Sequence, residues 1–268
     1  MSVAQLKIED GRAAAMDGVS VLSQRLLDMR VRYEGLTGGA LLEQMIRTEF
    51  PGDIAVVSSF GAESAVLLHM VAEIDPTVPV LFLNTGKLFG ETLRFRDRLQ
   101  EKLGLTDIRA VGPHPADLAA RDPNGVLWNA DPDACCFVRK VLPLERALAG
   151  FSASITGRKR FQTSARASMD PIEEEPVKGI VPGAAPSGTR FKINPLSYWG
   201  QEELEAYTGA HRLPRHPLVK DGYLSIGCMP CTTRVPVGGS YRDGRWAGTD
   251  KVECGIHIPT PNVDGDGI

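Results

Sequence analysis

The chain reads as an α/β protein: a parallel twisted sheet with helices on both faces, a helical N-terminal segment ahead of it and a mobile C-terminal tail behind it. Three observations predict this. Between Asp53 and Thr156, short apolar runs alternate with longer stretches whose apolar residues recur at three- and four-residue spacings. Strands that alternate with helices in this way pair in parallel. The runs end in short polar turns, such as Ser59-Phe60-Gly61-Ala62-Glu63 and Asn84-Thr85-Gly86, that open onto helices. At 268 residues, with 43% hydrophobic and 24% charged residues, the chain has an ordinary globular composition and enough length for one large or two small domains. The expected division is a helical segment over residues 1–50 packed on the core, an α/β domain over 51–231 and a flexible tail over 232–268.

Taken in order, Val21, Leu22, Leu26 and Met29, then Leu41, Leu42, Met45 and Ile46, mark two helices parted by Gly35–Gly39. After Pro51-Gly52, Asp53–Ser58 is a short buried strand, and Ser64–Ile74 a helix. Val78–Leu83 is a second strand and Glu91–Leu103 a second long helix. Ile108–Val111 and Ser154–Thr156 are further strands, the last preceded by a helix over Cys135–Leu148. Asp170–Pro176, acidic and proline-flanked, and Gly179–Gly188 read as loops. Phe191–Asn194 is a final strand and Gln201–Arg212 a helix; from Thr232 onward Gly and Pro abound and periodicity fades. Ligands of such sheets bind beyond the C-terminal strand ends. That gathers the Ser58–Ser64 loop, the Asn84–Lys87 turn and the Gly157–Arg160 turn around one crevice.

The cysteines carry the strongest signal. Cys135-Cys136 and the C-x-x-C pair Cys228 and Cys231 supply four thiolates, enough for one metal centre, and leave Cys254 over. A single zinc asks all four sulfurs to meet at one point, which adjacent, diverging side chains do poorly. A [4Fe–4S] cubane, one per subunit, offers each thiolate its own iron and is favoured. A disulfide pair is disfavoured in a reducing cytosol.

The loop Ser58-Ser59-Phe60-Gly61-Ala62-Glu63-Ser64 lies between a strand and a helix, where backbone N–H groups receive an anion. It has no Walker A pattern, and Ser64 reads equally as a helix-capping residue. Net charge is −3, which gives no sign of a nucleic-acid surface. Neither a secretory signal nor a membrane-spanning run is readable, so a cytoplasmic protein is expected.

In order along the chain stand that Ser-rich loop, Leu83-Asn84-Thr85-Gly86-Lys87-Leu88-Phe89-Gly90-Glu91-Thr92, Cys135-Cys136, Gly157-Arg158-Lys159-Arg160-Phe161-Gln162, Cys228-x-x-Cys231, Arg242 with Gly244-Arg245-Trp246, and Glu253-Cys254-Gly255-Ile256-His257. This series, spanning Asp53 to His257, resembles the assimilatory adenylyl-sulfate reductases of the APS/PAPS reductase family. The resemblance implies an adenine-nucleotide α-hydrolase-like fold and reduction of adenosine 5′-phosphosulfate (APS) to sulfite and AMP, for sulfate assimilation and cysteine biosynthesis. It implies Cys254 as the nucleophile that forms an S-sulfocysteine, a thioredoxin or glutaredoxin-like protein as reductant, and possible homo-oligomers.

The substrate contacts it implies are Ser58, Ser59, Phe60, Gly61, Ser64, Leu83, Thr85, Gly86, Lys140, Gly157, Arg158, Arg166, Arg242 and Arg245. Lys140 falls one helical turn after Cys136 and points from the metal toward the crevice. The guanidinium groups match phosphate and sulfate oxygens. His257 is placed either to lower the thiol pKa or to position the tail, and it reads equally as a structural residue. Asn84 and Phe161 stand where relatives carry Asp, which bears on nucleotide contact and not on the reaction. The 3′-phosphorylated substrate PAPS is the nearest alternative, although PAPS reductases generally lack the four thiols. An ATP-dependent thiolating enzyme is disfavoured by the absence of S-G-G-x-D-S at Ser58–Ser64.

Overall fold

The computed structural model describes residues 24–181, 188–248, 251 and 253–257. The start of the first predicted helix, including Val21 and Leu22, and the end of the tail lie outside them. The helices are α1 (residues 24–32), α2 (Gly38–Gln44), α3 (Ser64–Ile74), α4 (Gly90–Leu103), α5 (Pro115–Arg121), α6 (Leu127–Ala130), α7 (Pro132–Cys136), α8 (Leu142–Leu148) and α9 (Gln201–Ala210). The strands are β1 (Ile54–Ser58), β2 (Val80–Leu83), β3 (Ile108–Val111), β4 (Ala153–Thr156), β5 (Ile172–Pro176) and β6 (Thr189–Ile193).

They form one six-stranded sheet in the order β3-β2-β1-β4-β6-β5. All pairings are parallel except β5 with β6. Successive side chains of a strand face opposite sides, and here both sides are covered. Val56, Val80, Phe82 and Ile155 join the larger core beneath α1 to α4. Ala55, Leu81 and Leu83 join a second core with Leu144 and Leu148 of α8. This double burial is why β1 and β2 read as unbroken apolar runs.

Two expectations need correction. Asp170–Pro176 is not a loop, because Ile172–Pro176 is the antiparallel edge strand β5. Its register sets Glu173 opposite Lys192 and Glu175 opposite Arg190, and Glu175 pairs with both Lys192 and Arg190. The helix over Cys135–Leu148 is not uniform. Phe137–Val141 is a π-helical turn between α7 and α8, with the Leu142 N–H donating to the Phe137 carbonyl. Pro143 has no N–H to offer Arg139, which interrupts the α-helical ladder at that point. The described part of the tail makes contacts of its own. Thr232 bridges Arg245, the Trp246 N–H donates to the Cys231 carbonyl, and Trp246 is buried.

Strand order reverses direction between β1 and β4, and a crevice opens at such a switch point. The β1–α3 loop and the turn after β4 form its two walls. No helix among the described residues is long and apolar enough to cross a membrane.

Candidate active site

A cavity of about 200 Å³ occupies this crevice, roofed by Ser225–Cys228, by Tyr241, Arg242, Arg245 and Trp246, and by Glu253, Cys254, Ile256 and His257. Ser58, Ser59, Gly61 and Ser64 line it from the β1–α3 loop, where the Ser64 hydroxyl donates to the Gly61 carbonyl at 2.8 Å. Leu83 and Thr85 enter from the end of β2, Gly157 and Arg158 from the end of β4, and Arg166 from the short turn Ser164–Arg166.

Lys140 reaches the same space from the π-helical turn. The extra residue in such a turn redirects side chains, and such turns recur at functional sites. Lys140 is buried, and its Nζ lies 3.7 Å from Cys254 Sγ. Burial disfavours the ammonium, but Cys254, Cys228 and Cys136 more than offset it, so its pKa is raised. The Cys254 thiol is correspondingly held well below its ordinary range. Cys136 donates its S–H to it, burial opposes, and Lys140, the Ile256 backbone N–H and Arg245 all favour the thiolate. The Cys136 thiol, as donor, is pushed up by that bond and by burial.

Anions in the cavity are matched one by one. Glu253 is buried and accepts from Arg166 through both oxygens, Nε–Oε2 at 2.6 Å and Nη2–Oε1 at 2.8 Å, with Arg242 Nη2 at 3.5 Å. Burial raises the Glu253 carboxyl pKa, yet the Arg166 hydrogen bonds outweigh it and the group stays ionised. Glu63 accepts from the buried Lys159 at 2.5 Å and from Gln162 at 3.0 Å. Arg158 is paired with Glu173 at 2.7 Å. Arg245 stacks on Trp246, 4.4 Å from the ring centre, and fills the space where a side chain at Gly227 would otherwise stand.

His257 is half-buried among Arg158, Arg166, Lys192 and Arg242. Burial first, and those cations next, hold it well below the usual histidine range, which favours the neutral ring.

All five cysteines are free thiols. Cys135 and Cys136 are buried at the end of α7, whose first turn is capped by Asp131 accepting from the Asp133 and Ala134 N–H groups. Cys228 and Cys231 flank a short turn that bridges Leu88 and donates the Met229 N–H to the Lys87 carbonyl at 2.8 Å. Burial raises the Cys135 and Cys231 thiols, and Cys135 is near enough to both Cys228 and Cys231 to feel their charge. Cys228 Sγ lies 3.2 Å from Thr85 Oγ1. Among the described residues no three His, Cys, Asp or Glu groups converge as ligands of one ion. An all-thiol set on two facing segments fits a cubane, which takes its ligands at separate irons.

A family model for the phosphoadenosine phosphosulfate reductase domain matches residues 53–234. The chain belongs to that family. An adenosine 5′-phosphosulfate reductase of Mesorhizobium japonicum is 48% identical over 250 residues, which is 93% of this chain and 90% of that protein. Another, from Deinococcus radiodurans, is 42% identical over 207 residues, 76% of each chain. The crystal structure of a phosphoadenylyl-sulfate reductase from Candida auris shares the fold, with TM-score 0.63 and 24% identity over 78% of this chain and 97% of that one.

Of the family positions predicted from sequence, two do not line the cavity. Phe60, at φ 51°, turns its ring into the core and packs edge-on against Phe82. Gly86, at φ 72°, makes room beside the Arg139 guanidinium, which donates to the Thr85 carbonyl and pairs with Asp122. Sequence reasoning missed Glu63, Lys159, Gln162, Tyr241 and Glu253, all of which line it. Lys159, Gln162 and Glu253 stand inside the quoted motifs, so position was the available signal.

Proposed function

We propose that this protein reduces adenosine 5′-phosphosulfate to sulfite and AMP through an S-sulfocysteine on Cys254, with a thioredoxin- or glutaredoxin-like dithiol as the electron source. The observation that carries this is the Cys254 thiol on the wall of a cation-lined cavity, 3.7 Å from Lys140 Nζ. The Cys254 thiolate attacks the sulfonate sulfur, the sulfur–oxygen bond to phosphate breaks, and AMP leaves with the electron pair. A donor thiolate next attacks Cys254 Sγ and expels sulfite, leaving a mixed disulfide. The donor's second thiol resolves it, so the donor gives up two electrons and Cys254 is regenerated.

Lys140 and Arg245 sit where the sulfonate oxygens gather charge, and Ser59, Gly61 and Ser64 stand where a strand-to-helix loop receives phosphate. His257, neutral, positions the tail among the arginines. Cys135, Cys136, Cys228 and Cys231 would hold a [4Fe–4S] cluster, which would supply a fixed charged centre and tie α7 to the 228–231 turn. Reduced cysteines and a dithiol donor suit a cytoplasmic protein.

The names of the relatives and the four thiols favour APS over PAPS. In competition, APS should be consumed and PAPS spared; the reverse preference would reassign the substrate. Cys254→Ser should abolish sulfite release while AMP still binds, and radiolabelled APS given without reductant should leave one sulfonate on wild-type Cys254. Full activity in the serine variant would sink the mechanism.

A further inference from the structure

The cations expected to meet substrate are not equivalent in the cavity. Arg166 and Arg242 are already occupied by the two oxygens of Glu253, whereas Lys140 and Arg245 surround Cys254 Sγ. Glu253 Oε1 also accepts the Cys254 backbone N–H at 2.8 Å. One buried carboxylate thus touches a residue of the core, a residue of the roof and the backbone of the nucleophile itself.

We infer that Glu253 is the positioning residue that docks the catalytic tail, by seating its carboxylate between Arg166 and Arg242 and fixing the Cys254 amide. This rests on Cys254 being the nucleophile, as proposed above. Ile256 packs against the second core, Gly255 approaches Val141 and Cys136, and the Lys178 ammonium reaches the Gly255 carbonyl at 3.3 Å. The Glu253 carboxylate is what ties the Cys254 amide itself to Arg166 and Arg242. The guanidinium of Arg166 is fixed in turn by Gln162 on the same side of the crevice. A two-oxygen acceptor facing a guanidinium fork specifies direction as well as distance, and an error of about 1 Å at a nucleophile can cost about a hundredfold in rate. Glu253 therefore acts on where the thiolate stands and leaves the nucleotide seat, on the β1–α3 loop, untouched.

The test uses the full chain as isolated, with Glu253→Gln, which keeps the shape and loses the charge, and Glu253→Asp, which keeps the charge and shortens the reach. Four quantities are read: trypsin cleavage after Lys251, AMP affinity, kcat and KM for APS, and melting temperature as the folding control. The expected result is tail cleavage at least several-fold faster in both variants, kcat reduced tenfold or more, and AMP affinity and KM within about threefold of wild type. Unchanged tail cleavage in both variants would overturn the latch. So would a loss of AMP affinity that matches the loss of kcat, since Glu253 would then belong to the nucleotide seat. Faster cleavage in variants of a protein that does not turn over APS would leave the latch in place and refute the proposed reaction.

Discussion

Lys140 is the residue whose removal should speak most directly to the chemistry. Its ammonium lies 3.7 Å from Cys254 Sγ, and it favours the thiolate. Lys140→Met should therefore raise the Cys254 thiol pKa. The sign is simple: with less thiolate at neutral pH, the rising limb of activity moves to higher pH, and part of the lost rate returns in alkaline buffer. Activity at pH 7 should fall by about tenfold or more, and the pH profile of kcat measures it. Such a site was partly legible in the sequence. Five cysteines with four in two pairs, and a lysine one turn from Cys136, could be read directly. The carboxylates could not, because a glutamate such as Glu253 gains its meaning only from Arg166, 87 positions earlier. His257 shows the same limit: a histidine three residues from a thiol suggests acid–base help, and only folding reveals the four cations that keep it neutral.

Single elements carry charges whose burial sets stability. Arg190 of β6 is nearly fully buried, donating to both oxygens of Glu145 on α8 at 3.1 Å and lying 3.5 Å from Glu175 of β5. Arg190→Ala strands a buried carboxylate and should cost about 3–5 kcal/mol, read as a lowered melting temperature. The same pairs explain why β5 escaped the sequence reading. Ile-Glu-Glu-Glu-Pro has poor strand propensity, and the strand forms because Glu173 and Glu175 face Lys192 and Arg190 across the register, a fact no local pattern contains.

His216 makes a second element-scale case. Its Nδ1 accepts the Leu218 N–H, which leaves Nε2 to donate to Thr92 of α4 at 3.0 Å. Burial lowers its pKa to about 4. Below about pH 6.5 the unfolded chain takes up a proton that the folded chain refuses. Stability is thus fully present above that value and is lost as pH falls toward 4, by at most about 3 kcal/mol. Denaturant midpoints across that range should show the loss, and His216→Gln should flatten it.

At the scale of the molecule, the parallel sheet was readable because β1 and β2 are apolar on both sides, and double burial leaves an unbroken hydrophobic run, whereas the strand order was not. Nor was the docked roof, since residues 232–248 make irregular structure held by distant partners. Among the described residues, two ion pairs tie it to the core, and their worth differs. Lys251 is 6% exposed but its partner Asp133 is 73% exposed, whereas Glu253 is only 7% exposed and Arg166 only 9%. Water around the Asp133 carboxylate limits that pair to about 1 kcal/mol, so Asp133→Asn should leave tail protection and turnover nearly unchanged. Salt should act weakly too, because the buried pair lies beyond reach of screening; trypsin cleavage after Lys251 at low and high ionic strength checks both.

The antiparallel strand has one more consequence. An open sheet ends in unpaired amides that invite another chain to stitch on, and here one border is a row of three glutamates ending in proline. That row neutralises arginine and lysine on one face of the sheet, and charge along a border discourages a second copy from pairing there. Trading Glu174, the middle one, for valine would leave the inward pairs in place and give the border a sticky seam, and light scattering should then report growing aggregates from protein whose active site is intact.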